Sequence, residues 1–197
     1  MLARLQPNPT HCSNIESAKP TGVVLVIIVM GVSGAGKTTV GQLLASQLGW
    51  EYADADDFHP RANIKKMRSG IPLTDEDRIP WLSILRGVIA GWIETPKNSI
   101  LACSALKRAY REILQGSPEV NPEVNPEVRF VYLRGTPELL RQRLHQRVGH
   151  FHTERMLESQ LATLEERETA LLVDIDRSPE EIVGQIRTRL GLAKGSE

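Results

Sequence analysis

The sequence has few cysteines, no excess of charge of either sign and no long apolar run. It contains only two cysteines, Cys12 in a polar tail and Cys103 in an apolar run, so we expect no disulfide framework and a reducing compartment. Its 24 basic and 24 acidic side chains cancel, and without a basic field a nucleic acid partner is not expected. The longest apolar run, residues 23–30, is too short to span a bilayer. We therefore expect a cytoplasmic protein with no nucleic acid or membrane partner.

The most specific motif is a phosphate-binding loop. Residues 31–38 read GVSGAGKT and match the pattern G-x-x-x-x-G-K-[ST] at every fixed position. The apolar run precedes them and a helical pattern at residues 39–48 follows, which is the strand–loop–helix context that the motif requires. Glycines let the backbone turn its N–H groups toward phosphate oxygens, and the helix adds the positive end of its dipole.

This loop predicts a site for a nucleoside triphosphate, although a glycine-rich turn without a ligand would show the same letters. Lys37 can bridge the terminal phosphates, where its charge would assist catalysis, and the Thr38 hydroxyl can hold a magnesium ion. The predicted nucleotide-binding residues of the loop are Gly31, Val32, Ser33, Gly34, Ala35, Gly36, Lys37, Thr38 and Thr39.

Motifs of other nucleotide-binding classes are missing. The chain has neither the N-K-x-D string with which GTPases read guanine nor their D-x-x-G switch. Its predicted third strand ends in Cys103 and Ser104, where motor and transporter ATPases usually carry an acidic residue. These absences, the short chain and the acids after the second predicted strand favour a kinase that acts on a small molecule.

Apolar runs alternate with helical patterns along the chain, which indicates an α/β fold with a parallel sheet. Three helix starts are marked by a capping residue, at Thr74, Thr136 and Ser178, and the last two are followed by proline at the first helical position. Five strands are predicted, at residues 23–30, 51–54, 99–103, 129–133 and 171–175.

The predicted kinase domain covers residues 23–192. We expect residues 1–22 to be a disordered extension and residues 193–197 a flexible tail, because neither segment has hydrophobic periodicity. Within the domain, residues 117–128 repeat the pattern SPEV-NPEV-NPEV. A proline at every fourth position forbids a helix there, so the repeat is predicted to be a surface loop.

Two acids follow the second predicted strand. Asp54 and Asp56 alternate, so an extended backbone would place both on one face, at the edge where parallel strands open on a ligand. Either carboxylate could accept a hydroxyl proton while the other supports a metal ion. The alternative is an ordinary acidic loop or helix cap. His59, nearby, is predicted to hydrogen-bond the substrate and not to bind metal, because no second histidine lies at ligand spacing.

A basic segment follows the third predicted strand. Ser104 is placed to hydrogen-bond in the crevice, and Lys107 and Arg111 lie one helical turn apart. Their shared face could bind an anionic substrate, because arginine holds carboxylates in a bidentate fork. The alternative is a solvated basic helix face.

A group of arginines indicates a lid at about residues 141–165. Arg141, Arg143 and Arg147 precede Gly149-His-Phe151, and kinases need cations and a closing element around the transferred phosphoryl group. We assign Arg143 to the nucleotide and Arg147 to catalysis. A charged amphipathic helix without such a role is the alternative.

Taken together, the motifs resemble those of the small gluconokinases, P-loop gluconate kinases related to shikimate and nucleoside monophosphate kinases. The matching blocks run in the family's order at residues 31–39, 54–82, 103–111 and 149–165. The second block and the CSALK…YR segment of the third are specific to this family, whereas the phosphate loop is shared by many.

The resemblance implies a three-layer α/β/α P-loop kinase fold and a homodimer. It also implies transfer of phosphate from ATP, with Mg²⁺, to D-gluconate, and Asp56 as the base with Asp54 supporting magnesium. Asp56, His59, Ser104, Lys107 and Arg111 would then bind the acceptor. A kinase for another small hydroxy acid such as shikimate, or for a nucleoside monophosphate, stays open, as does a nucleotide-binding regulatory protein without turnover.

Overall fold

A five-stranded, fully parallel sheet forms the centre of the fold. The computed structural model describes residues 24–116, 127–146, 150–165 and 170–192. The strands are β1 Leu25–Met30, β2 Glu51–Asp54, β3 Ser99–Ala102, β4 Glu127–Arg134 and β5 Leu171–Asp174. Their order in the sheet is β2-β3-β1-β4-β5, which confirms the predicted five parallel strands. All strands therefore point their carboxyl ends to the same edge of the sheet, with β1 in the middle.

Helices cover both faces of this sheet, so the predicted three-layer α/β/α arrangement is confirmed. The helices are α1 Lys37–Leu48, α2 Arg61–Arg68, α3 Asp75–Glu94, α4 Arg108–Gln115, α5 Pro137–His145, α6 His150–Thr163 and α7 Pro179–Leu190. Alternate residues of β1 pack in two separate cores: Ile27 packs with side chains of α1, α5, α6 and α7, and Ile28 with side chains of α3 and α4. Burial on both faces is why β1 is apolar throughout.

The helix starts follow the local signals in the sequence. Thr74 and Asp77 form a reciprocal capping box at the start of α3, and Ser178 and Glu181 form another at the start of α7. Each box satisfies backbone N–H groups that a helix end leaves without partners. At the start of α5 the Thr136 side chain alone acts as the cap and accepts from the Leu139 N–H. The helix start predicted at Thr74 is confirmed, and the buried side chains of α3 are Trp81, Leu82, Leu85, Ile89 and Ile93.

Several predicted segments lie outside the described residues: the extension at 1–22, most of the repeat at 117–128 and the tail at 193–197. In the described part of the chain, none of the helices is long and apolar enough to cross a membrane. Cys103 is a buried free thiol, and burial raises its pKa to about 12.

Gly31 ends β1 in a conformation that other residues rarely adopt. Its φ is 144°, and a Cβ atom added there would lie 2.9 Å from the carbonyl oxygen of Leu133 on β4. A side chain at this position would therefore meet both backbone strain and a close contact with a backbone atom.

We predict that Gly31→Ala destabilises the protein by about 2 kcal/mol or more, because backbone strain adds to a steric clash. Gly184→Ala is the matched control: Gly184 lies within α7 with no atom within 4 Å of an added Cβ, and alanine favours a helix by about 0.5–1 kcal/mol over glycine. Urea denaturation of both variants measures the difference. A Gly31→Ala protein as stable as Gly184→Ala would contradict the prediction.

Candidate active site

The phosphate-binding loop turns sharply at two left-handed glycines. Gly34 and Gly36 have φ values of 84° and 90°, and α1 begins directly afterwards at Lys37. The side chains of Val32 and Ala35 are buried in the core, so they fix the loop to the body of the protein. The Lys37 ammonium group donates to the Val32 carbonyl oxygen at 3.2 Å. Successive backbone N–H groups in such a turn, at a helix N-terminus, form a binding site for anions.

The two predicted magnesium ligands are in direct contact. The Thr38 hydroxyl donates to Oδ2 of Asp54 at 2.8 Å, although β2 and β1 are separated by β3 in the sheet. The other carboxylate oxygen of Asp54 accepts from the Asp56 backbone N–H at 3.1 Å. The Tyr52 hydroxyl lies 3.3 Å from Asp54, and burial together with this carboxylate raises the pKa of Tyr52. The arrangement places a hydroxyl and a carboxylate side by side next to the phosphate loop.

A cavity next to the loop joins predicted residues from three parts of the chain. Among the residues predicted from the sequence, the cavity is lined by Ser33, Lys37, Asp56, His59 and Ser104. The remaining wall was not predicted and consists of Met67, residues 70–73, Arg78, Trp81, Met156, Ser159 and Gln160. The lysine of the phosphate loop and the predicted catalytic acid therefore border one space.

The His59 side chain lies against an aromatic ring. Its imidazole stacks on Trp81 at 4.3 Å between ring centroids, and its side chain is only 5% exposed. Burial lowers the pKa of His59, although the Asp56 carboxylate, 3.9 Å from Nε2, opposes this effect. The indole N–H of Trp81 donates to the Ala55 carbonyl oxygen at 2.8 Å, which ties this stack to the turn that carries Asp56. Asp56 itself is 85% exposed at its side chain.

Arg78 is a cation of the cavity wall that the sequence analysis missed. One guanidinium nitrogen donates to the Leu73 carbonyl oxygen at 2.6 Å, and it lies 3.4 Å from the Tyr110 hydroxyl and 3.8 Å from Asp75. Its position in the sequence could have indicated this. Arg78 lies one helical turn before Trp81 in α3, and residues three apart on a helix share a face.

Lys107 and Arg111 contact other protein groups outside the cavity lining, and the anion-binding face predicted for them stays a prediction. Lys107 precedes α4 and pairs with Asp75 at 2.6 Å. The hydrogen bond between them lowers the pKa of Asp75 and raises that of Lys107. Arg111 is only 3% exposed, and its Nη1 donates to the carbonyl oxygens of Ala105 and Leu106 at 2.9 and 2.8 Å. Neither residue lines the cavity. Lys107 is held by Asp75, and the turn before α4 folds over Arg111.

The structure thus gives Arg111 a different position from the one expected. Ala105, whose carbonyl it binds, has a φ of 45°, a left-handed conformation that is uncommon for a residue with a side chain. The Ser104 carbonyl oxygen, one residue earlier, accepts from the Gly31 N–H at 3.4 Å. Arg111 therefore supports the loop that carries Ser104 at the cavity.

Of the predicted lid arginines, Arg143 lies at the phosphate loop. Its guanidinium is 3.8 Å from where a Cβ on Gly36 would be, and it donates to the Ile175 carbonyl oxygen. Arg141 lies 3.9 Å from Glu138 in the same helix. Arg147 lies outside the described residues. A second cavity joins the loop to the start of α7, with Gly34, Gly36, Thr39, Arg143, Gln146 and Arg177 among its lining residues.

Known proteins with similar sequences cover most of the chain. A family model described as an AAA domain matches residues 26–169. A probable gluconokinase of Xenopus tropicalis is 44% identical over 88% of this chain and 99% of its own length. The chain belongs to the gluconokinase family. A thermoresistant gluconokinase of Escherichia coli K12 is 42% identical over 80% of this chain and 89% of its own length.

The fold comparison agrees with the gluconokinase assignment. The crystal structure of a sugar kinase from Janibacter superposes with a TM-score of 0.78 at 39% identity, over 88% of this chain and 99% of that one. The resemblance inferred from the phosphate loop and the block at residues 54–82 is therefore confirmed, and the P-loop kinase fold with it.

We predict that Arg111→Met destabilises the protein by about 1–3 kcal/mol, because it leaves the Ala105 carbonyl oxygen without the donor that Arg111 supplies and removes one of two donors to the Leu106 carbonyl oxygen. Lys107→Met is the matched control on the same segment. It removes a partly exposed ion pair, which typically contributes about 1 kcal/mol or less. Chemical denaturation measures both. Unchanged stability of Arg111→Met, together with weaker binding of an anionic acceptor, would contradict the supporting role and restore the anion-binding one.

Proposed function

We propose that the chain transfers the γ-phosphoryl group of ATP to the terminal hydroxyl of D-gluconate, giving 6-phospho-D-gluconate and ADP. The observation that carries this proposal is that Lys37 of the phosphate loop borders the same cavity as Asp56 and His59. A donor phosphate held on the loop would face an acceptor held in that cavity. Membership in the gluconokinase family supports gluconate as the acceptor.

The donor would occupy the phosphate loop and the second cavity. Its phosphates fit the turn at Gly34 and Gly36, where backbone N–H groups and the N-terminus of α1 favour negative charge. Its nucleoside would extend into the cavity that Arg143 and Arg177 border. Arg143 also lies against Gly36, so its cation would stand beside the phosphates.

Thr38 and Asp54 would hold a magnesium ion. Mg²⁺ prefers oxygen ligands and usually takes one or two protein groups, with water and substrate phosphates completing its shell. The contact of Thr38 with Asp54 beside the loop fits that pattern. Within the described ranges no cluster of three or more His, Cys, Asp or Glu side chains could hold a metal by itself. When bound, the ion would neutralise charge that develops on the phosphates.

The acceptor cavity matches the chemistry of a hydroxy acid. Gluconate is a monoanion with several hydroxyl groups, so its site needs a cation and hydrogen-bonding groups. Lys37 and Arg78 are cations of the cavity wall. Because we assign Lys37 to the phosphate, we propose that Arg78 binds the carboxylate of gluconate. His59 and Ser104 would bind hydroxyl groups, and we assign no direct contact to Lys107 or Arg111.

Asp56 would accept the proton of the attacking hydroxyl. The oxygen of that hydroxyl forms a bond to the γ-phosphorus while the bond to the bridging oxygen of ADP breaks, and the proton passes to the carboxylate. Asp54 is already bonded to Thr38 and to the Asp56 N–H, which leaves Asp56 as the carboxylate that lines the cavity. Lys37 would stabilise the transferred group, and we keep a catalytic role for Arg147.

The lid predicted at residues 141–165 also belongs to this proposal. Met156, Ser159 and Gln160 of α6 form one wall of the acceptor cavity, where they would help to exclude water from the reacting groups. A homodimer and a cytoplasmic location remain predictions made from the sequence.

A coupled assay of ADP release tests the proposed function. We expect ATP- and Mg²⁺-dependent turnover with D-gluconate and little or none with shikimate or AMP. In Lys37→Ala the kcat should fall by about a hundredfold or more, because a preorganised charge at the transferred phosphate is lost. Turnover with shikimate or AMP but not gluconate would support a rival kinase. No turnover with any acceptor would support a nucleotide-binding regulatory protein.

The two carboxylates should give different defects. Asp56→Asn keeps the shape but removes the base, so kcat should fall by about 100-fold or more while ATP binding stays near normal. Asp54→Asn is the matched substitution, and it should instead raise the Mg²⁺ concentration needed for half-maximal activity. Steady-state kinetics over a range of Mg²⁺ concentrations measures both. An Asp56→Asn enzyme with most of its kcat and poor gluconate binding would show that Asp56 only anchors a hydroxyl group.

A further inference from the structure

Gln160 connects α6 to the phosphate-binding loop. Its side-chain oxygen accepts a hydrogen bond from the Ser33 backbone N–H at 2.6 Å, across 127 positions of the sequence. Gln160 and Ser33 both line the acceptor cavity, together with Lys37 and Asp56. One side chain therefore bridges the element that would hold the donor phosphate and the wall that would cover the acceptor.

The helix that carries Gln160 is fixed at its C-terminal end. The Glu165 N–H donates to the Leu106 carbonyl oxygen at 2.9 Å, and the Glu165 carboxylate accepts from the Arg108 backbone N–H at 2.6 Å. The side chain of Leu157, one turn before Gln160, is fully buried in the core. These contacts hold α6, and with it the Gln160 side chain, in one geometry, as positioning near a reacting centre requires.

The hydrogen bond to Ser33 also fixes which way the amide points. A glutamine side chain has one acceptor oxygen and an NH₂ group with two donors. Because the oxygen faces the Ser33 N–H, the NH₂ group faces away from it, and that group has no hydrogen-bond partner in the part of the chain that the structure describes. The oxygens of a phosphoryl group are acceptors that match these donors.

We propose that the Gln160 NH₂ group donates a hydrogen bond to the transferred phosphoryl group, which makes Gln160 a further catalytic residue of the proposed kinase reaction. The sharp turn of the loop, at Gly34 and Gly36, follows Ser33 in the chain. Gln160 can thus keep its bond to Ser33 while phosphates occupy the turn. As charge spreads over the phosphoryl oxygens in the transition state, this hydrogen bond strengthens and lowers the barrier.

Two substitutions separate this role from a structural one. Gln160→Ala removes the donor, and kcat should fall by about 100-fold or more, as for other single donors to a developing anion. The KM for gluconate and the Kd for ADP, which lacks the transferred group, should change by less than about threefold. Gln160→Glu keeps the acceptor for Ser33 but places a carboxylate oxygen near the phosphates. Its kcat should fall at least as far, and its KM for ATP should rise.

Glu158→Ala is the control on the same helix, because Glu158 is exposed and should leave all constants and the melting temperature unchanged. Wild-type kcat in Gln160→Ala with tighter ADP and ATP binding would overturn the proposal and make Gln160 a latch that nucleotide displaces. A raised KM for gluconate at unchanged kcat would overturn it in favour of acceptor binding.

If Gln160→Ala does not fold, Gln160→Glu still tests the proposal, because the glutamate retains the contact with Ser33. Wild-type kcat in Gln160→Glu would overturn the proposal. The inference rests on the proposed function, but the two fail differently. A wild-type protein without gluconate-dependent turnover would refute both, whereas an active wild type with an equally active Gln160→Ala variant would refute only the role of Gln160.

Discussion

The site depends on a single backbone constraint, the turn that follows β1 at the centre of the parallel sheet. β1 pairs with β3 on one side and with β4 on the other. Because Gly31 has no side chain, the chain can pass within contact distance of the Leu133 carbonyl on β4 and donate to the Ser104 carbonyl after β3. The phosphate loop is thereby locked to both neighbouring strands, and its position relative to the acceptor cavity follows from the sheet itself.

The charged side chains near the cavity, at the carboxyl edge of the sheet, differ in whether they contact other protein groups or line the cavity. Asp75 binds Lys107 and the Tyr110 hydroxyl, which draws that lysine away from the cavity. Arg111 donates hydrogen bonds to the backbone carbonyl oxygens of Ala105 and Leu106. Lys37 and Arg78 are left to border the cavity at the phosphate loop and at α3. A cavity with one cation for phosphate and another for a carboxylate suits an anionic acceptor better than a neutral sugar.

The sequence predicted those parts of the site that depend on neighbours along the chain. The phosphate loop, the capping box at Thr74 and the acids at the end of β2 are local patterns whose geometry is set within a few residues. The burial of Arg111 was not predicted, because helical spacing alone does not show that the preceding turn folds over its side chain. Arg78 and Gln160 were missed for a related reason. Their roles arise from contacts with Tyr110 and Ser33, which are distant in sequence, and no local pattern encodes such contacts.

The central claim is that phosphate passes directly from a donor on the loop to the terminal hydroxyl of an acid in the adjacent cavity. Phosphorus NMR of the wild-type reaction with ATP, Mg²⁺ and D-gluconate tests this claim most directly. We expect a phosphate monoester signal that is split into a triplet by the two protons of the terminal methylene carbon and grows in step with ADP. Release of inorganic phosphate alone, or a doublet from a secondary hydroxyl, would contradict it.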